Sequence, residues 1–211
     1  MAGALQRLAK WQSLRLRHTY ADLAAQPRYT QAITFFENDL YGSGDFTKRD
    51  ADLARVVPIM VRMLPERVIA TVAEAVELNG LSHDLDTELL TRLPRLDAPI
   101  AVPQYCDAYR AMGGRELRER QIRLIGDLGA ALDQHVRRPL VRSALLMMRK
   151  PAHVAGFGAL HDFLERGFAG FRAMHGAEAF MRTVVDRETA LMERIFRGDP
   201  APFPDPLGRD R

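Results

Sequence analysis

Glu188 is the acid that spacing sets in the middle of an apolar stripe: Phe180, Val184, Leu191, Met192 and Ile195 recur around it at helical spacing. A carboxylate drawn into such a stripe loses hydration, so it either keeps its proton or finds a cation. Two chemistries follow. The acid could relay a proton or bind a cation, or it could close an internal ion pair with one of the many arginines, which is the favoured reading. Gln121 and His135 belong to the same class, because both project with Leu117, Leu124, Ile125, Leu128 and Leu132 from one helical stripe. Arg118, at the edge of that stripe, is the expected partner for the buried acid. Glu188, Gln121, Arg118 and His135 thus make a candidate polar cluster, with Met147 and Met148 as an adaptable wall.

His161 and Glu165, four residues apart, form a second candidate at the margin of the stripe Leu160, Phe163, Leu164, Phe168 and Phe171. A half-buried His–carboxylate pair can orient an imidazole for acid–base work or for a metal. The commoner outcome is a boundary hydrogen bond. Stronger signatures are missing. There is no G-x-S-x-G, H-E-x-x-H, G-x-x-x-x-G-K-[ST] or C-x-x-C, and no E-x-x-H of the kind that builds di-metal bundle sites. Cys106 is the single cysteine, so no internal disulfide is available. No metal-ligand set and no cofactor is indicated.

These residues need helices to position them, and the periodicity is helical almost throughout. Leu5, Leu8, Leu16, Tyr20 and Leu23 stripe a first helix that Pro27 ends, and a second covers about 28–41. The T-x-x-D box at Thr47–Asp50 opens a helix to about Leu64, with Pro58 kinking or dividing it. Pro65 starts another that Asn79-Gly80 should stop, after which Ser82 caps a new helix. A proline-rich crossing at 94–103 precedes a short helix, a Gly-Gly break and a long helix to about 137. Pro139 opens LVRSALLMMRK, apolar nearly all round and so expected at the centre. A hairpin of about 157–175 and 177–197, broken at Gly176, should pack on the long helix and on 139–149. No alternating strand pattern occurs. The expected class is all-α, an irregular bundle of about eight or nine helices. One domain is expected over 1–198, with residues 1–26 as a peripheral amphipathic helix and 199–211 as a flexible, proline-rich tail.

The stretch FFENDLY, residues 35–41, carries apolar surface wider than one neighbour can cover, so its helix should contact at least two others. It resembles the motif of a group of bacterial proteins, mostly proteobacterial, named for a sequence of the form FFLEELY. Phe35, Phe36, Leu40 and Tyr41 match that motif, Asp39 is a conservative match, and Glu37 and Asn38 depart from it. That group has no assigned activity, so the resemblance implies no catalytic residue.

Composition narrows the function classes. The net charge is +3, and 27 of the 30 basic residues are arginine. Residues 1–28 carry five basic groups against one acid, and 29–108 seven against thirteen. Such asymmetry could mark a face for an anionic partner, but no nucleic-acid-binding motif accompanies it, which argues against that partner. Arg7 and Lys10 interrupt the opening residues, unlike a secretory signal. No apolar stretch approaches the roughly 20 residues of a membrane span, so a cytoplasmic protein is expected. Trp11 and Leu14 project on the basic side of the first helix, beside Arg7 and Lys10. They are the candidate contact for a protein partner, a second copy, or peripherally a membrane surface, with a helix covered on both sides by its own domain as the equal alternative.

Two classes remain. The leading one is a helical interaction or regulatory module acting through its surface. The alternative is a small-molecule or metal-binding enzyme with a polar pocket around Glu188 and Gln121, which requires both to line a cavity of a few hundred Å3. The module instead predicts a closed core, Glu188 paired, and an apolar patch outside.

Overall fold

The computed structural model describes residues 2–40, 55, 66–94 and 98–208. Among them the chain is all-α, with nine α-helices and no strand. They are α1 (Ala2–Thr19), α2 (Ala21–Ala24), α3 (Pro27–Phe35), α4 (Glu66–Arg92), α5 (Val102–Ala111), α6 (Arg115–Val136), α7 (Pro139–Val154), α8 (Gly158–Ala173) and α9 (Glu178–Phe196). Thr47–Asp50, Pro58 and Pro65 lie outside the described residues, as does Tyr41.

Two apolar clusters hold the fold. The first joins Leu8 and Trp11 of α1 to Leu89 and Leu90 of α4, Tyr105 and Tyr109 of α5, Ile122 of α6, and Met192 and Ile195 of α9. The second joins Tyr20, Tyr29, Ala32 and Ile33 to Val136, Phe171, Phe180 and Met181. Helix α1 feeds both, its first half entering one cluster and its last turn bordering the other. The pairs α3 with α8, α9 with α6, and α4 with α6 make the main helix–helix contacts. Helices α3 and α8 approach closely because Gly170 has no side chain: a Cβ there would sit 3.1 Å from the Ala32 Cα.

The FFENDLY helix changes character halfway. After Phe35 the chain widens into a π-helical turn, Phe36–Leu40, a form found as single turns and often at functional sites. Phe35 is buried against Phe163, with ring centroids 5.2 Å apart. Phe36 faces Phe171 and Phe180 on two other helices, as the broad apolar surface requires. Asp39 is tied to Arg166 at 2.6 Å and Glu37 to Arg17 at 3.3 Å.

Four expectations about the elements are overturned. Asn79-Gly80 does not stop a helix: α4 runs unbroken from Glu66 to Arg92. An internal glycine costs only about 1 kcal/mol, and packing of α4 along α6 offsets that. Ser82 is therefore no cap. Helix α7 is not central either. None of its residues is buried, and Leu140, Met147 and Val154 are 84%, 72% and 90% exposed. Two arginines, a lysine and the polar Ser143 already interrupt its surface, and α8 covers only part of the rest. Trp11 and the 199–208 segment meet each other. The tryptophan is only 4% exposed, and Phe203 stands edge-on to it at 6.0 Å, with Pro202 fully buried beside. Arg194 secures the turn through Asp199 and the Ala201 carbonyl, both at 2.7 Å. The expected flexible tail is thus docked as far as Pro206, with Leu207 and Gly208 exposed.

Candidate functional site

Where the two apolar clusters face each other, a cavity of about 140 Å3 remains. Its walls come from both: Tyr105, Tyr109, Ile122 and Met192 on one side, and Tyr20, Ile33, Phe36 and Phe180 on the other. Eight polar or charged side chains besides the tyrosines line this seam, Glu37 of the π-helical turn among them. Gln12 and Arg15 enter from α1, Ser82 and Asp86 from α4, Arg118 and Gln121 from α6, and Glu188 from α9.

Glu188 is paired, but not with Arg118. Arg15 donates to both of its oxygens, at 2.6 and 3.0 Å, and the Tyr20 hydroxyl donates to Oε1 at 2.8 Å. The side chains of Arg15 and Glu188 are 13% and 18% exposed, so this bidentate pair is held well away from solvent. Burial opposes the guanidinium charge, but the Glu188 carboxylate outweighs it and leaves Arg15 above its ordinary pKa. The sequence offered no way to choose Arg15, because helical spacing orders residues within one helix and not across two.

Arg118 is the less settled cation. It is 5% exposed, and its guanidinium lies over the Tyr109 ring at 4.6 Å. One nitrogen donates to Gln121 Oε1 at 3.0 Å, a second reaches the Met112 sulfur at 3.7 Å, and Nε has no partner. Gln121 passes the link on, donating to the Ser82 hydroxyl at 2.7 Å. No carboxylate among the described residues lies within ion-pair distance of Arg118. The nearest candidate by position, Asp86, instead accepts a hydrogen bond from Gln12 at 2.9 Å. Burial pushes the Asp86 carboxyl above its ordinary pKa, which weakens it further as a counter-ion. Burial likewise raises the Tyr105 and Tyr109 phenols, so these rings present neutral hydroxyls. Nearby Cys106 is pushed up to about 11 by burial and is a protonated, inert thiol at neutral pH.

Of the four residues of the candidate cluster, Glu188, Gln121 and Arg118 line this one cavity. His135 does not join them. It is buried at the other end of α6, its Nε2 3.2 Å from the Thr71 hydroxyl, and burial followed by the Arg138 charge lowers its pKa. The offset follows from length, since fourteen residues of helix separate His135 from Gln121 by about 21 Å. Met147 and Met148 are exposed on α7 and give the cavity no wall. Gln12, Arg15, Tyr20 and Asp86 were missed. Their signal was weak, a few polar residues beside the leucines of α1 and α4.

The His161–Glu165 pair does not form. His161 turns its Nε2 to the Leu145 carbonyl at 2.9 Å, while Glu165 lies 3.7 Å from Arg149. Helices α7 and α8 meet here, and the neighbour from α7 takes each residue before the i, i+4 partner can. Trp11 and Leu14 do not present a joint surface, because Trp11 is stacked on Tyr105 at 4.5 Å and Leu14 is half-buried.

One family assignment can be set beside this geometry. A family model described as a domain of unknown function, DUF8198, matches residues 1–202. The chain belongs to that family. The match takes in α1 through α9 and the docked Pro202, so every residue lining the cavity except Phe203 falls within it. No curated protein and no solved structure matches the chain. No described helix is long and apolar enough to cross a membrane.

Proposed function

We propose that this domain binds a small, singly charged carboxylic acid with an apolar body in the cavity between its two cores. The observation that carries this reading is Arg118: a buried guanidinium with a free Nε and no carboxylate at ion-pair distance among the described residues. Leaving a buried charge unpaired costs several kcal/mol, so such a group marks a position where an anion stabilises the protein. An arginine also matches a carboxylate with two parallel donors, which a lysine cannot do. The volume sets the size. At about 140 Å3 the cavity is close to the roughly 150 Å3 that admits a benzene ring, and smaller than the few hundred Å3 expected of an enzyme pocket. Ile33, Phe36, Ile125 and Phe180 offer the apolar body its surface, and the Tyr105 and Tyr109 hydroxyls offer neutral hydrogen bonds.

Benzoate and short branched carboxylates are the probes. Each is titrated calorimetrically into wild type and into Arg118→Met, which keeps length and removes the charge. Wild type is expected to bind, with affinity falling about 10- to 100-fold in the variant, the worth of a charge-assisted pair. Equal affinity in both proteins, or no heat from any probe, would sink the proposal.

The surface-module reading keeps one supporting observation, the exposed apolar side chains of α7. Its simplest occupant is a second copy of the chain. On that reading light scattering shows a dimer for wild type and a monomer for Met147→Lys; a monomeric wild type removes it.

A further inference from the structure

We propose that His153, His161 and Asp162 form a binding site for one divalent transition-metal ion of the zinc class, at the corner where α7 turns into α8. None of the three lines the cavity, so this site stands apart from the carboxylate proposal.

The argument starts from the outer ring nitrogens. His153 Nδ1 lies 2.8 Å from the Arg149 carbonyl, and His161 Nε2 lies 2.9 Å from the Leu145 carbonyl. A carbonyl only accepts, so both of those nitrogens carry hydrogen. In the neutral rings the opposite nitrogens, His153 Nε2 and His161 Nδ1, therefore bear lone pairs. Both are turned toward the same Asp162 oxygen, at 3.4 and 4.0 Å. Three electron-rich atoms thus converge within 4.8 Å of one another. Acceptors facing acceptors repel unless a proton or a metal cation sits between them, and one metal ion would satisfy all three atoms at once.

His161 supplies a second, independent sign. The residue is 5% exposed, and its Nδ1 is a buried polar atom with no hydrogen-bond partner. It is held there by the Leu145 bond and cannot turn to water. Backbone carbonyls behind metal-binding imidazoles are the usual outer support, fixing tautomer and ring direction. Here both histidines have one, drawn from successive turns of α7.

The corner itself is built to let the rings meet. Gly156 takes a positive φ of 84°, which reverses the chain between the helices. Gly158 then leaves room for His153: a Cβ at that position would fall 2.7 Å from its Cδ2. The two imidazoles stand 65° apart with centroids separated by 6.0 Å.

Two neutral nitrogens and one carboxylate suit borderline divalent ions, zinc foremost, better than calcium or magnesium. In a tetrahedron with metal–ligand bonds near 2.0 Å, neighbouring ligand atoms lie about 3.3 Å apart. The 3.4 Å contact already meets that spacing, while the 4.0 Å contact and the two nitrogens, which lie within 4.8 Å of each other, must close toward it. His153, 45% exposed at its side chain, is the member free to move. Three protein ligands leave the fourth position to water or a small anion.

The sequence carried this site faintly, as two histidines and an aspartate spanning a glycine-rich turn. Helical spacing pairs His161 with Glu165; Asp162 faces both histidines only once the α7–α8 corner is formed.

Untagged protein is stripped with a chelator, then titrated with Zn2+ in competition with a chromophoric chelator, and separately with Co2+ while visible absorption is recorded. Wild type should take up one equivalent of zinc and give tetrahedral-type cobalt bands. His153→Ala and Asp162→Asn alter part-exposed side chains, so both should keep the wild-type circular dichroism while binding zinc at least tenfold more weakly. Gly158→Ala retains all three ligands but displaces the His153 ring, and should weaken binding as well. His18→Ala, far from the corner, should bind as wild type does. Absence of a stoichiometric site, or affinity unchanged in His153→Ala and Asp162→Asn, overturns the assignment.

Discussion

Glu188→Ala should destabilise the protein by about 3–5 kcal/mol, the cost of leaving a buried cation without its counter-ion. The variant strands Arg15, 13% exposed and bonded twice to the missing carboxylate, and deprives the Tyr20 hydroxyl of its short bond. In a chain of this size the melting temperature should fall by roughly 10 °C. Chemical denaturation followed by circular dichroism measures the loss. Replacing the pair together, Arg15→Met with Glu188→Leu, should recover most of it, because two apolar side chains of similar volume need no counter-ion. The contrast matters more than either number. A single-variant loss below about 1 kcal/mol would class the pair as a solvent-screened surface bridge and not as the strut between the two cores.

Trp11→Ala is the second large effect, about 3–5 kcal/mol, from the cavity left by a buried aromatic ring. Its ring contacts reach Tyr105 at 4.5 Å and Phe203 at 6.0 Å, so the vacancy opens against α5 and the docked C-terminal segment together. Trp11→Phe should cost much less. The indole Nε1 is buried with no partner, and removing it offsets part of the lost contact. As the chain's single tryptophan, Trp11 is its own reporter: emission should be blue-shifted in the native protein and move red on unfolding. A tryptophan held out for a partner would behave oppositely, with native emission already red and Trp11→Ala as stable as wild type.

The helical class was legible because a 3.6-residue period is a property of one segment at a time. Leu8 and Leu23, or Phe180 and Ile195, announce a buried face before any neighbour is known. The same local reasoning placed Glu188, Gln121 and Arg118 on inward arcs, and all three reached the cavity. It failed wherever the outcome depended on what lay opposite. Glu188 took Arg15 from α1 and not Arg118 from α6. Trp11 was covered by a segment almost two hundred residues away. The apolar helix α7 was left at the edge, and Asn79-Gly80 was carried through by the packing of α4 on α6.

Composition and period alone determined an all-α chain and the inward faces of its helices, with Glu188 and Arg118 among the charges set on those faces. Tertiary structure decided which of those charges meet, because pairing is a matter of distance between helices and spacing along a helix carries none. It also decided that Arg118 is left over, and that two histidines from different helices turn their lone pairs on one aspartate. Both outcomes arise from the same cause: neighbours brought together by burial compete for each polar group, and the competition is settled by geometry that no single segment contains.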